Sequence, residues 1–145
     1  MDVPYHVGLT GILALILYPI FEWKIIFLFV GGVLIDADHF LYYIIKNKDL
    51  NPINCYKYYM IDSAKHKYHN VNGSLFVFHT IEFAIGLVIA AFFSEIALLI
   101  LIGYIGHWIL DGIWLAKVAK RVVLDHSIIH WLWVNIGKHQ SKTVK

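Results

Sequence analysis

The chain has 145 residues, 59% of them hydrophobic and only 15% charged, an apolar excess larger than the core of a soluble domain this size can bury. Its formal net charge is +2, and its basic residues lie in loops rather than along a stripe, which argues against nucleic acid as a partner. Cys55 is the single cysteine, excluding an intrachain disulfide or a cysteine-rich zinc knot, so any metal must be held by nitrogen and oxygen.

In chain order, the pattern predicts one all-α membrane domain with four apolar spans. The first, about 7–21, is short for a bilayer crossing, and "YP" at Tyr18-Pro19 with Glu22-Trp23-Lys24 marks the reversal into a second span at about 25–45. No basic region opens the chain and no small-residue cleavage pattern follows, so the first span is expected to stay in the mature protein. A long loop, 46–74, carries Asn51-Pro52, the aromatic run "YKYY" and the polar run "DSAKHKYHNVNGS". Spans at about 75–93 and 96–116 meet at Ser94-Glu95. Beyond them Leu124, Ile128, Trp131 and Leu132 recur at helical spacing, which predicts an amphipathic helix over about 120–136, lying in the membrane interface on tryptophan anchors. Two helical hairpins packed as a four-helix bundle, with that interfacial helix, is the expected fold. With four spans, every Lys and Arg except Lys24 falls on one side. The positive-inside rule makes that side cytoplasmic, together with both termini, in a multi-pass protein of the cell membrane.

Inside the spans stand eight ionisable residues that are expensive in hydrocarbon: His6, Asp36, Asp38, His39, His79, Glu82, His107 and Asp111. The spans alternate in direction, yet all eight fall at the cytoplasmic level. Asp36 with His39, His79 with Glu82, and His107 with Asp111 are three or four apart, so each pair shares a helix face. A carboxylate and an imidazole from each of several helices is a metal-ligand set, and the cation would neutralise carboxylates otherwise costly to bury. The donors exceed one tetrahedral shell, which predicts two divalent ions, zinc favoured and manganese or iron the alternatives. At about 100° per residue Asp38 points nearly opposite to Asp36 on an ideal helix. Either the helix unwinds after Gly31-Gly32, or Asp38 lies at the interface and supports a histidine from behind.

The motifs "YHVGLTG", "LIDADHF", "FHTIEF" and "GHWILD", spread over Tyr5 to Asp111, resemble the membrane-bound metal-dependent hydrolases of the YdjM type, a family similar in motif order to the zinc-dependent phospholipase C and P1 nuclease group. The resemblance implies a phosphoester substrate. Two departures stand out: Ile35 occupies a position where many members have proline, and "HKYHNVNGSLFVFHTIEF" replaces their His-Arg-Gly run. The middle motif is therefore read as His79 with Glu82, with His66 and His69 as alternatives from the loop.

On this reading paired ions acidify water and stabilise an in-line displacement, with Asp38 or Glu82 as general base. The substrate would be a phosphoester, a lipid headgroup at the cytoplasmic leaflet among the candidates, met by Lys65, Lys67 or Lys120. Cation or proton transport is the rival, since intramembrane carboxylates and histidines also line conduits; the outward halves "LALILYP", "IIFLFV", "IGLVIAAFF" and "IALLILI" offer no polar path. A structural membrane protein held together by polar groups is the third reading. His126 and His130 are taken for a solvated helix face, Tyr56 to Tyr59 for interfacial packing, Gly103 and Gly106 for close helix approach, and His139 for a terminal tail.

Overall fold

In the computed structural model, which describes residues 3–62, 74–118 and 126–134, the chain is helical almost throughout and no β-strand occurs among those residues. Helix α1 (Val3–Phe21) ends two residues after Pro19, and the chain reverses through a 3-10 turn, Glu22–Ile25, with Glu22 in the left-handed region at φ 50°. Helix α2 (Ile26–Gly32) returns alongside α1, bringing Gly32 against the Thr10 side chain and Leu28 into one cluster with Ala14.

The second predicted span is not one helix. Val33 (φ −135°, ψ −50°) leaves the helical region after Gly31-Gly32, a 3-10 turn occupies Leu34–Asp36, and helix α3 (Ala37–Asn47) starts afresh. Lys48, left-handed at φ 54°, closes α3 by donating its N–H to the Ile44 carbonyl at 2.8 Å. Asn51 then caps α4 (Pro52–Lys57) with Pro52 in its first turn, and one π turn, Tyr58–Asp62, extends it.

A 3-10 turn at Val77–His79 leads to Thr80, which is fully buried and accepts the Phe83 N–H to cap α5 (Ile81–Ala91). The regular helix in the third predicted span is therefore only 11 residues long. Ser94 starts α6 (Glu95–Val118) by accepting the Ala97 N–H. Residues 128–134 form a helix, α7, inside the predicted interfacial segment. Leu124, His66, His69, His139 and the lysines proposed to meet substrate lie outside the described residues.

Helices α2 and α6 run in the same direction: Lys24 pairs with Glu95 at one end, Leu28 packs with Leu99 in the middle, and His107 Nδ1 reaches the Gly32 carbonyl at the other. Their backbones touch. A Cβ at Gly31 would fall on the Ile100 carbonyl, and one at Gly103 on the Leu28 carbonyl; Gly106 has only ordinary contacts to Leu9 and Leu13 at 3.4 Å.

The inside and outside are distributed in reverse of a soluble domain. Buried polar or charged residues equal buried hydrophobic ones among the described residues, and His107 and Thr80 are among the largest fully buried side chains. Leu15, Ile16, Ile20, Ile85, Ile89, Phe92, Phe93 and Ile109 are exposed instead. Two helical stretches, Val3–Asn47, which contains the reversal, and Glu95–Trp114, are long and apolar enough to cross a membrane. Only 11% and 33% of their most apolar windows are buried within the protein, so most of that surface faces outward.

Candidate metal centre

The helix ends bring seven of the eight residues named from the sequence to one place. His6 stands near the start of α1, Asp36 at the end of the 3-10 turn after α2, Asp38 and His39 at the start of α3, His79 in the turn before α5, and His107 with Asp111 one turn apart on α6. Asp36 closes the 3-10 turn that follows the break at Val33 and Asp38 stands in the first turn of α3, and their carboxylates reach His79 at opposite ring nitrogens, Asp36 at Nε2 and Asp38 at Nδ1.

At the centre the Nε2 atoms of His79 and His107 lie 3.1 Å apart. Around them Asp36 Oδ1 is 3.6 Å from His79 Nε2 and 3.5 Å from His107 Nε2, while Asp111 Oδ2 is 3.6 Å and 3.2 Å from the same two atoms. Ligands bound at ~2.0–2.1 Å around a tetrahedral ion stand about 3.3–3.4 Å from one another, so these separations are those of the edges of a coordination shell. His6 Nε2 approaches the other oxygen of Asp111, Oδ1, at 3.3 Å, and the His6 ring stacks on that of His107 at 4.0 Å.

Hydrogen bonds behind the rings engage both Nδ1 atoms. Gly32 offers a carbonyl, which only accepts, so His107 Nδ1 at 3.1 Å donates to it. His79 Nδ1 donates to Asp38 Oδ2 at 3.1 Å. With both Nδ1 atoms engaged behind the rings, the two Nε2 atoms are left facing each other between the Asp36 and Asp111 carboxylates, an arrangement that a shared cation would satisfy. Asp36 Oδ1 and Asp111 Oδ1 are buried without a hydrogen-bond partner, as is His6 Nδ1. Unpaired buried carboxylate oxygens are costly, and a positive charge among them would remove the cost. Three overlapping triads have ligand atoms close enough to hold an ion: His6, His107 and Asp111; Asp36, His79 and His107; and Asp38, His39 and His79. His79 belongs to two of these through opposite ring nitrogens, and a neutral imidazole has one lone-pair nitrogen to give. The triad through Nε2 also contains the unpartnered oxygen of Asp36.

His39 sits at the edge. Its Nδ1 is 2.8 Å from Asp38 Oδ1 and 3.4 Å from Asp36 Oδ1, its ring stacks on Phe76 at 3.9 Å, and Tyr59 donates to its carbonyl.

Glu82 is elsewhere. Its carboxylate accepts the Ser127 hydroxyl at 2.6 Å and the N–H groups of Ile128 and Ile129 at 3.1 and 3.3 Å, capping the start of α7. The three-residue spacing to His79 implied a shared face only if both residues were on one helix. Thr80 has extended backbone (φ −94°, ψ 154°) and separates the turn holding His79 from α5. The Ile81 N–H bonds the His126 carbonyl at 2.8 Å, so α7 is tied to the start of α5 at two points. Glu82→Ala should therefore loosen 126–134, seen as faster amide exchange at Ile128 and Ile129, with metal content unchanged. His130 is exposed on α7, as expected for a solvated face, whereas His126 precedes the helix with its Nδ1 3.5 Å from the His79 carbonyl. Sequence reasoning missed Thr80, although a threonine immediately before an apolar run is a helix-start signal, and it missed Tyr104, whose hydroxyl donates to the Phe78 carbonyl at 3.1 Å.

Searches against protein-family models, curated proteins and solved structures return no match.

Proposed function

We propose that this chain is a multi-pass protein of the cell membrane, a helical bundle with an interfacial C-terminal helix and cytoplasmic termini, that hydrolyses a phosphoester with divalent metal held by Asp36, His79, His107 and Asp111. The observation that carries the reading is the pair of imidazole nitrogens facing each other at 3.1 Å between two carboxylates. Two imidazoles and two carboxylates suit zinc, with manganese or iron the alternatives. His6 Nε2 beside Asp111 Oδ1 would offer the beginning of a second ion's shell, so two ions per chain is the proposed content. Motif order supports a relationship to the YdjM-type hydrolases.

Bound divalent metal would supply Lewis acidity, acidifying water and drawing charge from a phosphoryl oxygen. The protein's own residues hold the donors and admit the reactants. Asp36 and Asp111 have side chains 17% and 22% exposed, against 0% for His107, so they mark the open side of the cluster. The Asp38 and Glu82 carboxylates are occupied by donors, so neither has an oxygen free to receive a proton. The apolar surface around the helices brings the site to the level of lipid headgroups, making a headgroup phosphoester the favoured substrate.

Transport through the same residues is disfavoured by what lies beneath them. Leu28 and Leu99 are completely buried, and α2 meets α6 backbone to backbone at Gly31 and Gly103. The polar cluster thus ends on an apolar plug.

Elemental analysis of detergent-purified protein, with assays on p-nitrophenyl phosphate, bis(p-nitrophenyl) phosphate and phospholipid vesicles, tests the proposal. Bound metal and turnover lost to a chelator and restored by the ion are expected. Cation flux in proteoliposomes without phosphoester turnover would favour the transporter, and protein that binds no metal would leave a structural role.

A further inference from the structure

Asp38 is 7% exposed and surrounded entirely by donors: His39 Nδ1 at 2.8 Å on Oδ1, and the Phe78 N–H at 3.0 Å with His79 Nδ1 at 3.1 Å on Oδ2. No other carboxylate in the cluster is satisfied in this way: Asp36 Oδ1 and Asp111 Oδ1 are buried beside histidines yet form no hydrogen bond. Both Asp38 oxygens are turned to hydrogen-bond donors, and the Nε2 of His79 lies on the far side of its ring from Asp38. We infer that Asp38 is a positioning residue for the metal centre, aligning His79 by holding its imidazole and the backbone of its turn at once.

The inference rests on the metal reading above. No regular helix carries His79: it ends a three-residue 3-10 turn, followed by extended backbone at Thr80. Such a turn does not fix a side chain by itself. Asp38 grips the Phe78 amide N–H from one side, and the Tyr104 hydroxyl grips the carbonyl of the same residue from the other at 3.1 Å. The carboxylate then fixes the ring's rotation and tautomer and makes Nε2 a stronger donor. Losing such a partner typically costs about 10–100-fold in metal affinity without removing a ligand.

Metal-free protein is titrated with zinc against a chromophoric chelator, and with cobalt while its visible absorption is followed. Asp38→Asn is expected to weaken zinc binding by about 10–100-fold with the stoichiometry at saturation and the cobalt spectrum unchanged. In a His79→Ala background the same substitution is expected to have no further effect. Tyr104→Phe, which removes one hydroxyl from the opposite side of the turn, is expected to weaken binding in the same direction and keeps the test valid should Asp38→Asn fail to fold. A fall in stoichiometry or a changed cobalt spectrum in Asp38→Asn would make the residue a ligand and overturn the inference. So would unchanged affinity, or a full effect persisting without His79. Wild-type protein that binds neither ion overturns the metal reading and this inference with it, whereas wild-type binding with any of the former results overturns the inference alone.

Discussion

His107→Ala is expected to reduce bound metal to background and to make the melting temperature indifferent to chelator. The side chain is wholly buried, its Nε2 is within 3.1–3.5 Å of His79, Asp36 and Asp111, and its Nδ1 is bonded to the Gly32 carbonyl. No nearby side chain can take its place. An ion that binds only the folded chain stabilises it by RT ln(1 + [L]/Kd), about 4 kcal/mol at a thousand-fold excess over Kd, or on the order of 10 °C for a chain of this size. Wild-type protein should lose that increment when stripped, because stripping leaves the facing Nε2 atoms and the carboxylate oxygens without hydrogen-bond partners at the centre uncompensated by a cation. The variant has no increment to lose. Comparing the change on chelation separates the effect of the ion from that of the cavity left by the imidazole, since the cavity is present with and without chelator. His130→Ala, altering an exposed residue on α7, should keep the wild-type metal content. A wild type whose melting temperature ignores chelator, or a His107→Ala variant with full metal content, would remove the basis for a metal centre.

The level at which these residues meet was legible in the sequence because depth along an apolar span follows from residue count alone. His6, Asp36, His79, His107 and Asp111 could be brought to one height without knowing which way each helix is rotated. Rotation was less accessible. The contradiction between Asp36 and Asp38 could be seen in their 200° separation on an ideal helix, and Gly31-Gly32 was a visible weak point, but only the coordinates put the break at Val33. Glu82 failed for the opposite reason: helical periodicity was extended across Thr80, where the helix had not begun. Its real partner, Ser127, is 45 residues away in a segment that no local pattern links to α5. The Gly32 carbonyl that fixes the tautomer of His107 is a backbone atom, and no side-chain motif reports it.

Gly31 and Gly103 decide whether the cluster assembles, and alanine at either is expected to cost about 1–3 kcal/mol, the usual range for overpacking a filled interior, and to weaken metal binding as well. The obstruction at both positions is a carbonyl of the facing helix, Ile100 in one case and Leu28 in the other. A flexible side chain could swing aside, but a helix backbone cannot, so α2 and α6 must move apart as units. The first casualty beyond the contact would be the bond between His107 Nδ1 and the Gly32 carbonyl, because one partner lies on each helix. Asp36 follows α2 by a single 3-10 turn and would be carried away from His107 with it. Metal affinity should therefore fall although neither glycine touches a ligand atom of the centre. Gly11→Ala and Gly86→Ala provide the contrast: nothing lies within 4 Å of a Cβ at either site, so alanine there should be neutral or stabilising by up to about 1 kcal/mol through helix propensity. Thermal unfolding in detergent, run beside a zinc titration, reads both quantities. If Gly103→Ala melted and bound zinc like Gly86→Ala, the close approach of α2 and α6 would not be what holds the two halves of the centre together.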